Sequence, residues 1–224
     1  MEHTRKIALY NHKGGVAKTT SVINLAWSIQ KAGKNVLVVD CDTQENCFMF
    51  FMAASGQEPI LPTAYERIKH TTWTRYMEID RDETDKFDYI LFDLPPEMTE
   101  EVKQIIHHCG IVYVPTMLGE FEIAGLEQVT VEIARQNARL GGVFITMYQK
   151  QNDEELLETF RTALHSSLME TVIPFSRTVR ESQKAGLPIE PYFTEKKVPR
   201  NGNSWKIVNA YESLAAEIVH QCEE

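Results

Sequence analysis

Short apolar runs that recur between longer stretches of helical period constrain this chain more than any other feature. The runs at 6–10, 35–40, 89–93, 110–115, 143–148 and 170–174 are mostly continuous and apolar. That is the pattern of strands buried on both faces, not the alternation of a half-exposed sheet. After the first run, Val22, Leu25, Ala26 and Ile29 recur at i, i+3, i+4 and i+7, and Gly33 follows as a stop, which predicts a helix. Further helices are predicted over 99–108, 124–138, 153–167 and 204–221. Strand and helix in alternation predict a doubly wound, mostly parallel α/β sheet flanked by helices. The chain's 224 residues suffice for one sizeable core, and no repeat or low-complexity linker divides them, so residues 1–224 are expected to form a single domain. Segment 57–86, with Pro59 and Pro62, follows neither period and is read as an excursion before the 89–93 strand.

The first strand delivers into "NHKGGVAKTT", residues 11–20. Strand, glycine-bearing loop and helix form the context in which backbone N–H groups and a helix N-terminus converge on phosphate oxygens. Against the pattern G-x-x-x-x-G-K-[ST], Lys18 and Thr19 are in place, but His12 and Ala17 stand at the two glycine positions. Gly14 and Gly15 are expected to carry the unusual dihedrals, leaving Ala17 at a negative φ that any residue tolerates. Lys18 would balance the β- and γ-phosphates and the Thr19 hydroxyl would ligate Mg²⁺. Two other strands end in carboxylates, "VLVVDCDTQ" with Asp40 and Asp42 and "FDYILFDLPPE" with Asp93. In an open α/β sheet the ligand lies at the carboxyl ends of the strands, so all three should meet the loop at one edge. Asp93 suits the Mg²⁺ side, and a carboxylate two residues past a strand end suits the positioning of an attacking water.

These three motifs resemble the deviant Walker A ATPases, whose loop reads K-G-G-x-x-K-[ST]. Within that group the chain is most similar to the ParA-type partition ATPases without an N-terminal DNA-binding extension. "IVYVPTMLGEFEIAGLEQV", "GVFITMYQKQND", "VIPFSRTVRESQKAGLPI" and "AYESLAAEIV" follow the family's order over nearly the whole chain. The resemblance implies a P-loop fold, ATP and Mg²⁺ as cofactors, and hydrolysis of ATP to ADP and phosphate that is weak unless a partner stimulates it. It implies that Lys13 reaches across an ATP-sandwiched homodimer to the phosphates of the other subunit, as an arginine finger does. Lys13, Gly14, Gly15, Val16, Ala17, Lys18, Thr19 and Thr20 would cradle the nucleotide, with adenine between Met147 and the Pro174–Phe175 turn. Asp42 corresponds to the water-positioning residue, making Lys13, Lys18 and Asp42 the catalytic set. Thr19, Asp40 and Asp93 fall on the Mg²⁺ side, partly through water. The family's partners are nonspecific DNA and a ParB-like centromere-binding protein that activates hydrolysis.

The net charge of −9 and pI near 5.3 exclude a protein that coats nucleic acid with its whole surface, though not a local patch. Residues 171–208 carry a balance of +4 within this acidic chain. By the resemblance, Arg177, Arg180, Lys184 and Lys206 there are candidates for DNA contact, while a solvated basic face remains the alternative. Other readings of the same loop are a MinD-like membrane-associated ATPase positioning a non-DNA cargo, a metabolic ATPase of the superfamily, and a tyrosine kinase. The acidic tail "AAEIVHQCEE", the lack of paired cysteines and a lone Tyr211 disfavour these in turn. The four cysteines form no C-x-x-C pair and no signal peptide is recognisable, which gives a cytoplasmic, nucleoid-associated expectation with no membrane partner. "CFMFFMAA" at 47–54 reads as a helix apolar all round, to be packed in the core or covered by a partner, and His107-His108 as a helix end.

Overall fold

The computed structural model describes residues 4–51, 61–62, 65–200 and 202–223. In chain order the elements begin β1 (Arg5–Leu9), α1 (Lys18–Lys31), β2 (Val36–Asp40), α2 (Asn46–Phe51), β3 (Leu61–Pro62), β4 (Ile68–Thr72), α3 (Trp73–Tyr76), α4 (Arg81–Thr84), β5 (Tyr89–Asp93) and α5 (Glu100–Cys109). They continue with β6 (Ile111–Thr116), α6 (Glu122–Arg135), β7 (Arg139–Tyr148), α7 (Lys150–Leu164), β8 (Leu168–Pro174), α8 (Thr178–Lys184), α9 (Ile189–Glu195) and α10 (Lys206–Glu223). Among the described residues one sheet holds all eight strands in the order β3-β4-β2-β5-β1-β6-β7-β8. Seven run parallel, and β3 pairs antiparallel with β4 at the edge. From β1 the chain moves to β2 and β4 on one side, and from β6 to β7 and β8 on the other. The reversal at β1 is where such a sheet opens a ligand crevice.

Both faces of the sheet are covered, which explains the continuous apolar runs. Ile7 and Leu9 of β1 point into a layer with Leu25 and Ile29 of α1 and Leu214 of α10. Ala8 and Tyr10 point the other way, toward Ile105 of α5 and Val129 of α6. Local signals set the helix ends. The Thr99 hydroxyl accepts the Val102 N–H at 3.2 Å, Glu100 and Glu101 follow in the first turn, and left-handed Gly110 closes α5. His107 and His108 occupy its last turn, as read from the sequence.

Two departures from the sequence reading bear on the sheet and its cover. Residues 68–72, inside the segment read as an excursion, form β4, a strand fully within the sheet between β3 and β2. The apolar run at 47–54 is not buried all round: α2 buries Cys47 and Phe51 at i, i+4, while Met49 between them is exposed. Its residues 52–54 lie outside the described residues, as do 57–60 and 63–64 of the excursion. Among the described residues no helix is long and apolar enough to cross a membrane.

Candidate functional site

Parallel register sets the floor of the site. Leu9 of β1 and Asp40 of β2 both pair with Asp93 of β5, so the loop after β1 and two carboxylates leave the sheet at one edge. Adjacent strands lie about 4.8 Å apart, which puts the three within side-chain reach of one another.

Buried polar side chains hold the loop in shape. Asn11, at 2% exposure, donates from Nδ2 to the Pro115 carbonyl at 2.9 Å and accepts the Lys13 N–H on Oδ1 at 2.9 Å. From β7, the Thr146 hydroxyl lies 3.2 Å from the Val16 carbonyl and 3.1 Å from that of Thr116. Gly15 takes a φ of +78°, as expected of a loop glycine. Ala17 does not behave as expected: it is left-handed, with φ 63° and ψ 32°. The expectation that the glycines alone carry such dihedrals is therefore corrected, and the methyl group costs roughly 1 to 2 kcal/mol there. The twist lets the Ala17 carbonyl accept the Ser21 N–H at 2.9 Å and start α1.

The corner so formed suits an anion. The first turn of α1 has no acidic residue and no side chain capping its N–H groups. Lys18 is buried, and its ammonium donates to the carbonyls of Asn11 at 3.1 Å and Lys13 at 3.2 Å. Burial lowers its pKa, while the charges of Asp93 and Asp42 act in the opposite direction. The loop carbonyls thus hold one cation at the start of a helix whose first turn has no side-chain cap.

Asp93 and Thr19 are the residues expected on the Mg²⁺ side. Asp93 is buried and its Oδ2 has no hydrogen-bond partner, while the Thr19 side chain bonds the same carboxyl. Burial pushes its pKa up to about 7; Asp40 and Asp42 act the same way, and Thr19 and Lys18 oppose them. An orphaned buried oxygen beside a threonine hydroxyl fits Mg²⁺, which is usually held by one or two protein oxygens plus phosphates and water. Among the described residues no three His, Cys, Asp or Glu side chains gather into a cage for a metal. Asp40, expected on the metal side, has both oxygens engaged by backbone N–H groups, those of Asp42 at 3.0 Å and Phe48 at 2.7 Å. It shapes the turn that presents Asp42, whose own Oδ1 accepts the Gln44 N–H at 2.9 Å.

Beside the loop opens a cavity of about 670 Å³ whose lining includes Ala17, Thr20, Met147, Pro174, Phe175 and Tyr211. The Phe175 N–H donates to the Tyr148 carbonyl at 2.9 Å, so the ends of β7 and β8 close it together. Met147, left-handed at φ 56°, and Phe175 are both partly exposed there, an apolar pair suited to a flat ring. Of the four basic candidates, Arg177, Arg180 and Lys184 are exposed on or beside α8 and border this same cavity. Lys206 lines an adjoining groove with Phe175 and Arg177.

Lys13 is not free at the rim: its ammonium is paired with the Glu122 carboxylate, on the first residue of α6. Glu122, Asn11, Thr146 and Gln183, whose Nε2 donates to the Thr20 hydroxyl at 2.9 Å, are site residues that sequence reasoning missed. Asn11, at the end of a buried strand, carried the only readable signal among them.

A sequence profile of the CobQ/CobB/MinD/ParA nucleotide binding domain matches residues 7–189. The chain is 26% identical to the chromosome-partitioning ATPase Soj of Treponema pallidum, over 96% of this chain and 97% of that one. It is 25% identical to the chromosome partitioning protein ParA of Caulobacter vibrioides, over 84% of this chain and 87% of the relative. In three dimensions it is similar to the septum site-determining protein MinD of Pyrococcus horikoshii, complexed with Mg-ADP. That TM-score is 0.72 over 96% of each chain at 20% identity, a likeness of fold.

Proposed function

This chain belongs to the CobQ/CobB/MinD/ParA nucleotide-binding family, and from that membership we propose that it is an ATP-dependent dimerising switch for DNA partitioning. The observation that carries the reading is the pair of lysines on one loop. Lys18 is buried against its own loop carbonyls, while Lys13 stands at the rim with its ammonium turned away from that pocket toward α6.

In this reading Lys18 and the N–H groups of the loop and first turn of α1 bind the β- and γ-phosphates, and adenine enters the cavity between Met147 and Phe175. Thr19 and Asp93 hold Mg²⁺, which when bound neutralises charge on the phosphate oxygens. Asp42, presented by the turn that Asp40 braces, orients the attacking water toward the γ-phosphorus. Lys13 crosses to the nucleotide of a second copy, a contact of the arginine-finger type worth about 10³ to 10⁵ in rate where it has been measured. The basic residues of α8 border the nucleotide cavity, so the same short helix can register the bound nucleotide and contact phosphates of nonspecific DNA. A ParB-like protein is the activating partner, and hydrolysis returns the chain to monomers. Support for this reading comes from the partition proteins among its relatives and from the local basic balance of an otherwise acidic chain.

The test is sedimentation of the parent and Lys13→Gln with Mg-ATP. The parent should dimerise, and Lys13→Gln should bind ATP yet stay monomeric. A Lys13→Gln protein that dimerises and hydrolyses ATP like the parent overturns the reading.

A further inference from the structure

We propose that Glu122 is a positioning residue that clasps Lys13 within its own subunit and must release it before a second copy can be engaged; the inference rests on the dimerising reading above. Lys13 is anchored at its backbone, where its N–H donates to buried Asn11, and Asn11 in turn is tied to the end of β6. The chain leaves β6, passes Gly119 and begins α6 at Glu122, so the loop and the start of α6 are fixed to the same strand end. Two glycines clear the way for the contact. A Cβ on Gly119 would come within 3.0 Å of the Glu122 Cγ and 3.2 Å of its Oε1. A Cβ on Gly125 would come within 3.0 Å of the His12 ring, which holds the first turn of α6 close against the front of the loop. Glu122 is the acidic residue in that first turn, where the helix N-terminus stabilises its charge.

The burial of the two partners is unequal in a way that suits a clasp. The Glu122 side chain is 18% exposed and that of Lys13 42%, so the carboxylate is the fixed half and the lysine the half that can leave. Phe121, next to Glu122, is 85% exposed on the same rim, an apolar group in position to meet a second copy once Lys13 swings out. The competition then runs between one carboxylate in cis and a triphosphate in trans. ATP presents the γ-phosphate charge that draws Lys13 away; ADP lacks it and leaves Lys13 on Glu122. The clasp thereby raises the protein concentration at which dimers form, a cost that the third phosphate offsets.

The test measures, by sedimentation, the concentration at which dimers form with Mg-ATP and with Mg-ADP, for the parent, Glu122→Gln, Glu122→Asp, Lys13→Gln and the Lys13→Gln/Glu122→Gln double variant. Glu122→Gln keeps the size of the side chain and removes its charge. It should dimerise with ATP at about two- to fivefold lower protein concentration, the range expected of a partly exposed ion pair. With ADP it should stay monomeric like the parent, because nothing draws Lys13 across, and with ATP Glu122→Asp should fall closer to the parent. The double variant should stay monomeric with ATP, as Lys13→Gln does, because lifting the restraint cannot help once the cation it restrains is gone. A parent that dimerises while Glu122→Gln is unchanged, or weaker, overturns the clasp alone. A parent that stays monomeric with ATP overturns the dimerising reading and the clasp with it.

Discussion

Ala17 shows how a single dihedral decides what a loop residue costs. Its left-handed backbone lets the Ala17 carbonyl accept the Ser21 N–H and start α1, so the strain comes with folding of the loop itself. Ala17→Gly should raise stability by about 1 kcal/mol, a rise of about 2 to 4 °C in the midpoint of thermal unfolding, with ATP affinity little changed. Calorimetry and an ATP titration measure both; a drop in stability, or a large gain in ATP affinity, would contradict this account. Where Lys18, Thr19 and Asp93 sit was legible in the sequence, because their placement follows from buried strands and their register. Residues that act by folding a loop were not. The left-handed turn at Ala17, the double hydrogen bond of Asn11 and the pairing of Lys13 with Glu122 depend on elements far apart in the chain, which periodicity cannot join.

At the scale of elements, strands buried on both faces were readable because nothing polar interrupts them, and β4 was missed for the opposite reason. Its sequence, "IKHTT", reads as polar, yet Ile68, His70 and Thr71 are buried, because β3 and β2 flank the strand and helices cover it. The start of β7 was missed similarly, because Gly141-Gly142 breaks the apolar run although the strand begins at Arg139. The contact between α3 and the end of α5 gives a testable case. The His108 Nε2 lies 3.1 Å from the Tyr76 hydroxyl, and its ring stands edge-on to those of Tyr76 and Phe92. Burial pushes the His108 pKa down to about 4, and the positive charges of Lys6 and His107 act in the same direction. A histidine in the unfolded chain titrates near 6.5, so the unfolded state takes up the proton first and stability falls as pH drops from about 6.5 toward 4. An NMR titration of the folded protein should place His108 below about pH 5, and the loss of thermal stability between about pH 7 and pH 5 should be smaller in His108→Gln. A folded-state value at or above that of free histidine would contradict the account.

Across the whole molecule, a chain of net charge −9 keeps exposed basic side chains on α8, beside the cavity lined by Met147 and Phe175. That placement links the two halves of the proposed switch. Two copies closed over ATP would bring two such helices to one face and double the phosphates a DNA duplex can contact. Binding through phosphates weakens with salt at a log–log slope of roughly −0.9 per phosphate neutralised, so the dimer should show a steeper slope than the monomer. The most direct measurement is therefore a titration of nonspecific duplex DNA with the protein in Mg-ATP and in Mg-ADP, at two salt concentrations. The account predicts tight, strongly salt-dependent binding with ATP and weak binding with ADP, and predicts that Lys13→Gln with ATP behaves like the parent with ADP. Equal affinity for DNA in the two nucleotide states would contradict it.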